Sequence, residues 1–170
     1  MLEEAVREKK GGAPPLPEVR VSLEMGVDFQ LPEEFVSEPH QRLVLYKRVA
    51  AAAEDGQLER VREEIEDRYG HLPREAENLL NLAALRSQAE RLGIATVEAK
   101  GGRVGLHFVD GAPLDPASLL EWVRFRQDTT LAPSGLLEVP VPVDPDERLR
   151  ETVEIVQDLA RLVPDPSPAS

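Results

Sequence analysis

One apolar stripe between two backbone punctuators constrains this chain more than any other feature. Leu79, Leu82, Leu85, Ala89 and Leu92 recur at three- and four-residue spacing, which puts them on one side of a helix. Pro73 falls in the first turn of that helix, where its missing N–H costs nothing, and Gly93 falls where the helix must stop. A long helix with one apolar side cannot stand alone, so its neighbours must supply the surface that covers it. Behind it, residues 94–99 and 103–109 read as two strands joined at Gly101-Gly102, a hairpin signal. Helices in front and a hairpin behind predict an α+β fold. The expectation is a single compact domain with a small, largely antiparallel sheet packed with several helices.

Earlier residues supply two more helices and one strand. Val19, Val21 and Leu23 alternate with polar residues as a half-buried strand does, and Val27 and Phe29 extend it on a shifted register. Residues 32–36 read as a turn. A helix over residues 39–53 carries Leu43, Tyr46 and Ala50 on one face and Leu45, Val49 and Ala52 on another, so it must be contacted from two sides. The next helix, residues 57–69, is narrower. Leu58, Val61, Ile65 and Tyr69 form its stripe, and Gly70 follows as its stop.

After the hairpin, Asp115-Pro116 opens a helix through Leu119, Leu120, Trp122, Val123 and Phe125, whose aromatic residues read as a core face. Residues 136–143 have strand character, but Pro140 and Pro142 confine that strand to a sheet edge. Asp144 then caps a helix bearing Leu149, Val153, Val156, Ala160 and Val163. The expected core includes Leu43, Tyr46, Leu58, Ile65, Leu82 and Leu85, with Leu82→Ala costing about 2–5 kcal/mol. Residues 164–170 read as a disordered tail. Residues 2–10 read as the end of a helix halted by Gly11-Gly12-Ala13-Pro14-Pro15; with no cap before residue 2, that helix is expected to begin upstream. The organisation is thus residues 1–12 as the end of a helix and linker, 13–163 as the domain and 164–170 as the tail.

Chemistry-bearing motifs are sparse. His40, His71 and His107 stand apart, with no pair at helical ligand spacing. The glycine-rich stretch Gly101 to Gly105 lacks the Lys-Ser/Thr ending of a phosphate loop and the helix that must follow. There is no cysteine, hence no disulfide framework and no thiolate metal site. No catalytic, cofactor-binding or metal-binding residue is assigned. No apolar run approaches the ~20 residues of a membrane span, and the expected location is the cytoplasm. Net charge is −12, divided evenly at −6 on either side of Gly70. Such a surface repels phosphate backbones, so neither duplex DNA binding nor ATP hydrolysis is expected of this segment.

A resemblance narrows the field. Gln41-Arg42-Leu43-Val44-Leu45-Tyr46-Lys47-Arg48-Val49-Ala50 resembles a helix of the C-terminal (TRCF) domain of bacterial transcription-repair coupling factors. Leu31-Pro32-Glu33-Glu34-Phe35-Val36 before it is similar to the same family's turn. Glu63-Glu64-Ile65-Glu66-Asp67-Arg68-Tyr69-Gly70-His71-Leu72-Pro73 resembles its next motif, with Tyr69 in place of the family's Phe. Leu79 to Arg86 and Arg91 to Ile94 continue the match in order, and Leu2-Glu3-Glu4-Ala5-Val6 resembles the end of the helix that leads out of the family's motor domain, so residues 1–12 are expected to be the end of a helix and linker from an upstream motor. The match is strong from about residue 31 to 94 and weaker after Gly111.

The resemblance implies a non-catalytic, autoinhibitory docking domain of an ATP-dependent DNA translocase in transcription-coupled nucleotide excision repair. By that implication the domain packs on a UvrB-like module of the same protein. There it masks the surface that binds UvrA and restrains the motor. RNA polymerase and DNA are partners of other domains, and ATP and Mg belong to the motor rather than to this segment. The competing expectation is a free-standing acidic adaptor or nucleic-acid mimic acting in trans.

The docking surface is expected on the helix of residues 57–69. At ~100° per residue with Leu58 at zero, Val61, Ile65 and Tyr69 fall within about 60° of it, while Glu63, Asp67 and Glu64 lie near 140°, 180° and 240°. That outward face is acidic, and Glu64 and Asp67, with Glu63 beside them, are the expected partner interface.

Overall fold

The computed structural model describes residues 21–52 and 54–164. The expected linker over residues 1–12, Val19, and all of the expected tail except Pro164 lie outside the described residues. The described elements run β1 (Ser22–Glu24), α1 (Pro39–Ala51), α2 (Asp55–Tyr69), α3 (Arg74–Leu92), β2 (Ile94–Lys100), β3 (Arg103–Phe108), α4 (Pro116–Arg124), β4 (Thr130–Leu131), β5 (Leu136–Pro140) and α5 (Pro145–Ala160). They form an open five-stranded sheet in the order β1-β2-β3-β5-β4, with α3, α4 and α5 sharing its core and α1 and α2 in a second, helical cluster. Only the β1–β2 pair is parallel; β2–β3, β3–β5 and β4–β5 are antiparallel. This is the α+β architecture that the patterning predicts.

Local chemistry sets the element ends. Gly93 closes α3 in the left-handed region, φ 72°, and its N–H donates back to the last turn. Asp115 and Asp144 cap α4 and α5, accepting from the N–H groups of Ser118 at 3.2 Å and Glu147 at 3.0 Å. Gly101 and Gly102 turn the β2–β3 hairpin with φ of 54° and 79°. Gly135, ahead of β5, has φ 93°, and a Cβ there would meet the Phe108 carbonyl oxygen at 2.8 Å. Only glycine satisfies both demands.

Two buried clusters share one helix. The larger joins the sheet to the C-terminal half of α3 and to α5, and Leu85, Leu92, Ile94, Leu106, Leu137, Leu149 and Leu159 are fully buried in it. The smaller is helical: Val36, Leu45, Val49, Leu58, Val61, Ile65, Leu72, Ala76 and Leu80. α3 gives Ala76 and Leu80 to the second and Leu85, Ala89 and Leu92 to the first. The loop after β1 ties the two together. The Asn78 amide donates to the Asp28 carbonyl at 2.9 Å and to Asp146 at 3.0 Å, and Arg148 donates to the Met25 carbonyl. The Leu31 N–H donates to the Tyr46 hydroxyl at 2.7 Å.

Several expectations are corrected. Leu43 is 48% exposed, because α1 buries Leu45, Val49 and Ala52 and leaves its other face open. Leu79 and Leu82 are only half-buried, since α3 turns a different side to each cluster. Phe125 is 84% exposed: it occupies the C-cap of α4, where φ −90° and ψ 2° leave the helix, so the face predicted from helical spacing does not reach it. Leu119 is buried and Trp122 half-buried. Strand β1 ends at Glu24, and Val27 and Phe29 lie in the loop rather than on an extension of it. Finally, β5 is not the edge. The two-residue β4 lies outside it, pairing with Leu137 and Glu138 only and stopping short of Pro140. α2 also begins earlier than predicted, at Asp55, with the Glu54 N–H donating to the Gln57 side chain at 3.3 Å.

Candidate functional site: the outward face of α2

α2 packs inward through Leu58, Val61 and Ile65, all under 8% exposed, with Tyr69 half-buried beside Phe35 at 5.7 Å between ring centres. The opposite side carries Glu63, Glu64 and Asp67, all exposed, with Glu66 exposed at the flank. The helix is held on its flanks. Arg62 bridges to Glu77 of α3 at 2.9 Å, and Arg48 of α1 forms an ion pair with Glu64. A hydrogen bond from Arg48, reinforced by its charge, keeps the Glu64 carboxyl below the usual carboxylate range.

The three sequence-predicted residues therefore share a face but not a state. Glu63 and Asp67 carry no hydrogen bond or ion pair among the described residues. Glu64 is already partnered by Arg48, a residue that the sequence reading did not single out. The only sequence hint of Arg48 is a basic residue in the last turn of α1, where it favours the helix end. Its pairing depends on how α1 and α2 cross, which spacing along one helix cannot reveal. The result is a rigid acidic ridge with a fixed guanidinium at its margin. Carboxylates carried on a braced helix are suited to long-range attraction and charge-assisted hydrogen bonds with basic side chains.

The carboxyls of Glu64 on this face and of Asp158 on α5 are displaced downward, each by a hydrogen-bond donor. Among the described residues no three His, Cys, Asp or Glu side chains converge as a metal site would require, and no helix is long and apolar enough to cross a membrane. The three histidines stay apart, and the ring of His107 contacts the Ser134 carbonyl at 3.1 Å.

Comparison with known proteins places these features in a family. The family model of the TRCF domain matches residues 25–119. The transcription-repair-coupling factor of Escherichia coli K12 is 36% identical over 126 residues, 71% of this chain. The factor of the same name from Myxococcus xanthus is 29% identical over 163 residues, 94% of this chain. The chain spans only 11% and 14% of those two proteins' lengths. A crystal structure of the C-terminal domain of a transcription-repair coupling factor superposes with a TM-score of 0.68 at 20% identity, covering 84% of this chain and 94% of that one.

Proposed function

Since the chain belongs to the TRCF domain family of transcription-repair coupling factors, we propose that it is a non-catalytic docking domain that restrains a coupling factor from within. The acidic ridge of α2 docks on basic side chains of a UvrB-like module in the same protein. While docked, the domain masks the UvrA-binding surface and restrains the motor; release exposes both. The observation that carries this reading is the exposed, unpaired state of Glu63 and Asp67 beside an ionised Glu64 on a helix braced from both sides.

Physical chemistry favours such a lock. Charged groups placed on a rigid helix lose little freedom on docking, and complementarity sets register more than raw affinity. Two parts of one chain meet at an effective concentration reaching the millimolar range, so a modest polar interface closes the lock and still opens. Such contacts weaken with salt, because exposed charges are screened within about 8 Å at physiological ionic strength. A large apolar interface would resist opening and leave a sticky surface once open.

The test is direct mapping. Isotope-labelled chain is titrated with a separately produced UvrB-like module and followed by amide shifts. The expected result is saturable, salt-sensitive shifts centred on Glu63, Glu64 and Asp67, with the β2–β3 hairpin unmoved. Shifts centred elsewhere, or none at millimolar module, would overturn the assignment of the ridge.

A further inference from the structure

One cation stands inside the acidic ridge. At ~100° per residue from Leu58, Arg60 lies near 200°, between Asp67 near 180° and Glu64 near 240°, with Glu63 near 140°. Along the helix axis it precedes Glu63 by about 4.5 Å and Glu64 by about 6 Å. It is exposed, and it carries no hydrogen bond or ion pair among the described residues. An arginine on a helix surface ordinarily finds an acid one turn on. Here that acid is Glu64, and Arg48 of α1 already holds it. Glu63, three residues on, makes no pair with it either. One turn before Arg60 is Gly56, which has no side chain to cover the guanidinium. A Cβ built at Gly56 would have a terminal nitrogen of Arg60 at 3.9 Å, so the guanidinium leans towards the start of α2 and stays open to solvent.

We propose that Arg60 sets the register of the docked ridge by pairing with an acidic side chain of the partner module, placed among the basic ones that meet Glu63 and Asp67. This rests on the reading of α2 as the docking face. A partner that covers Glu63, Glu64 and Asp67 also covers Arg60, which lies within the same ~100° of helix surface. Like charges pressed together across an interface cost affinity, and a guanidinium desolvated without an acceptor is penalised as well. The partner surface is therefore mixed in sign rather than basic throughout. A mixed pattern also removes an ambiguity. Glu63 and Asp67 repeat at four residues, so basic groups could meet them after a slide of one turn along α2. A single cation ahead of the acids has one matching position, and so fixes both direction and register, as charges do in paired helices.

The full 170-residue chain, isotope-labelled, is titrated with a separately produced UvrB-like module, and Kd is read from the amide shifts. Arg60→Gln is expected to raise Kd about threefold, as loss of one exposed pair does. Arg60→Glu is expected to raise it about tenfold, because it sets like charges face to face. The direction of the second change decides the matter. Arg60→Glu makes the chain two charges more negative, and would tighten binding to a module that is basic throughout. Arginine, glutamine and glutamate all suit a helix and the site is exposed, so the fold is expected to hold, and unmoved sheet amides check that. Glu63→Gln with Asp67→Asn separates this inference from the reading beneath it. Weaker binding by that double variant, with tighter or unchanged binding by Arg60→Glu, would overturn the role of Arg60 alone. Unchanged binding by both would overturn the ridge as the docking face, and the role of Arg60 with it.

Discussion

Asp158 gathers three side-chain partners. The Trp122 indole N–H donates to its carboxylate at 3.0 Å, and Arg126 and Arg161 each approach it at 3.4 Å. Arg126 also lies 4.2 Å from the centre of the Trp122 ring, a cation over an aromatic face. The indole hydrogen bond, followed by Arg126, holds the Asp158 carboxyl below its ordinary value. The folded state therefore prefers the ionised form. That contribution is present above the unfolded pKa of ~3.9 and is lost as pH falls through the lower folded value. The side chain is 39% exposed, so water screens much of the effect and its share of stability is small. Trp122 is the sole tryptophan, and its fluorescence should report this step alone. The emission of the wild type should change only below about pH 3.9, before the far-UV signal does, and Asp158→Asn should remove that step. A fluorescence midpoint above that pH would contradict the arrangement.

At the scale of elements, the strongly periodic segments were legible and the shared or short ones were not. α2 reads correctly from Leu58, Val61 and Ile65 because it buries one side only, and the same angles place Glu63, Glu64 and Asp67 outside. The hairpin reads correctly because two glycines leave little else possible there. α1 and α3 are harder, since each meets more than one neighbour and spacing does not say which apolar residue is covered. β5 reads as an edge because of Pro140 and Pro142, and β4, two residues long and too short for any alternation, covers it only beside Leu137 and Glu138. The Arg48–Glu64 pair was invisible because it joins two helices rather than two turns of one. Packing makes a corresponding prediction. Leu85 is fully buried and Leu43 is 48% exposed. Leu85→Ala should cost about 2–5 kcal/mol and Leu43→Ala about 0.5 kcal/mol or less in denaturant melts. Equal costs would show that α1 does not leave Leu43 outside the core as described.

At the scale of the whole molecule, the fold divides its labour. The sheet, α4 and α5 form the larger core, while α1, α2 and the first turns of α3 form a helical one that carries the acidic ridge. α3 runs through both, so the ridge is anchored to the sheet by one continuous helix. The central claim is that this ridge closes an intramolecular lock, and UvrA binding by a full-length coupling factor carrying this domain tests it most directly. Glu64→Ala with Asp67→Ala removes charge from the ridge, while Arg48→Ala breaks the same α1–α2 ion pair but leaves every acid in place. The double substitution should raise UvrA binding severalfold with the domain still folded, higher salt should raise it similarly in the unaltered protein, and Arg48→Ala should leave it unchanged. UvrA binding no stronger in the folded double variant than in the unaltered protein would contradict the account.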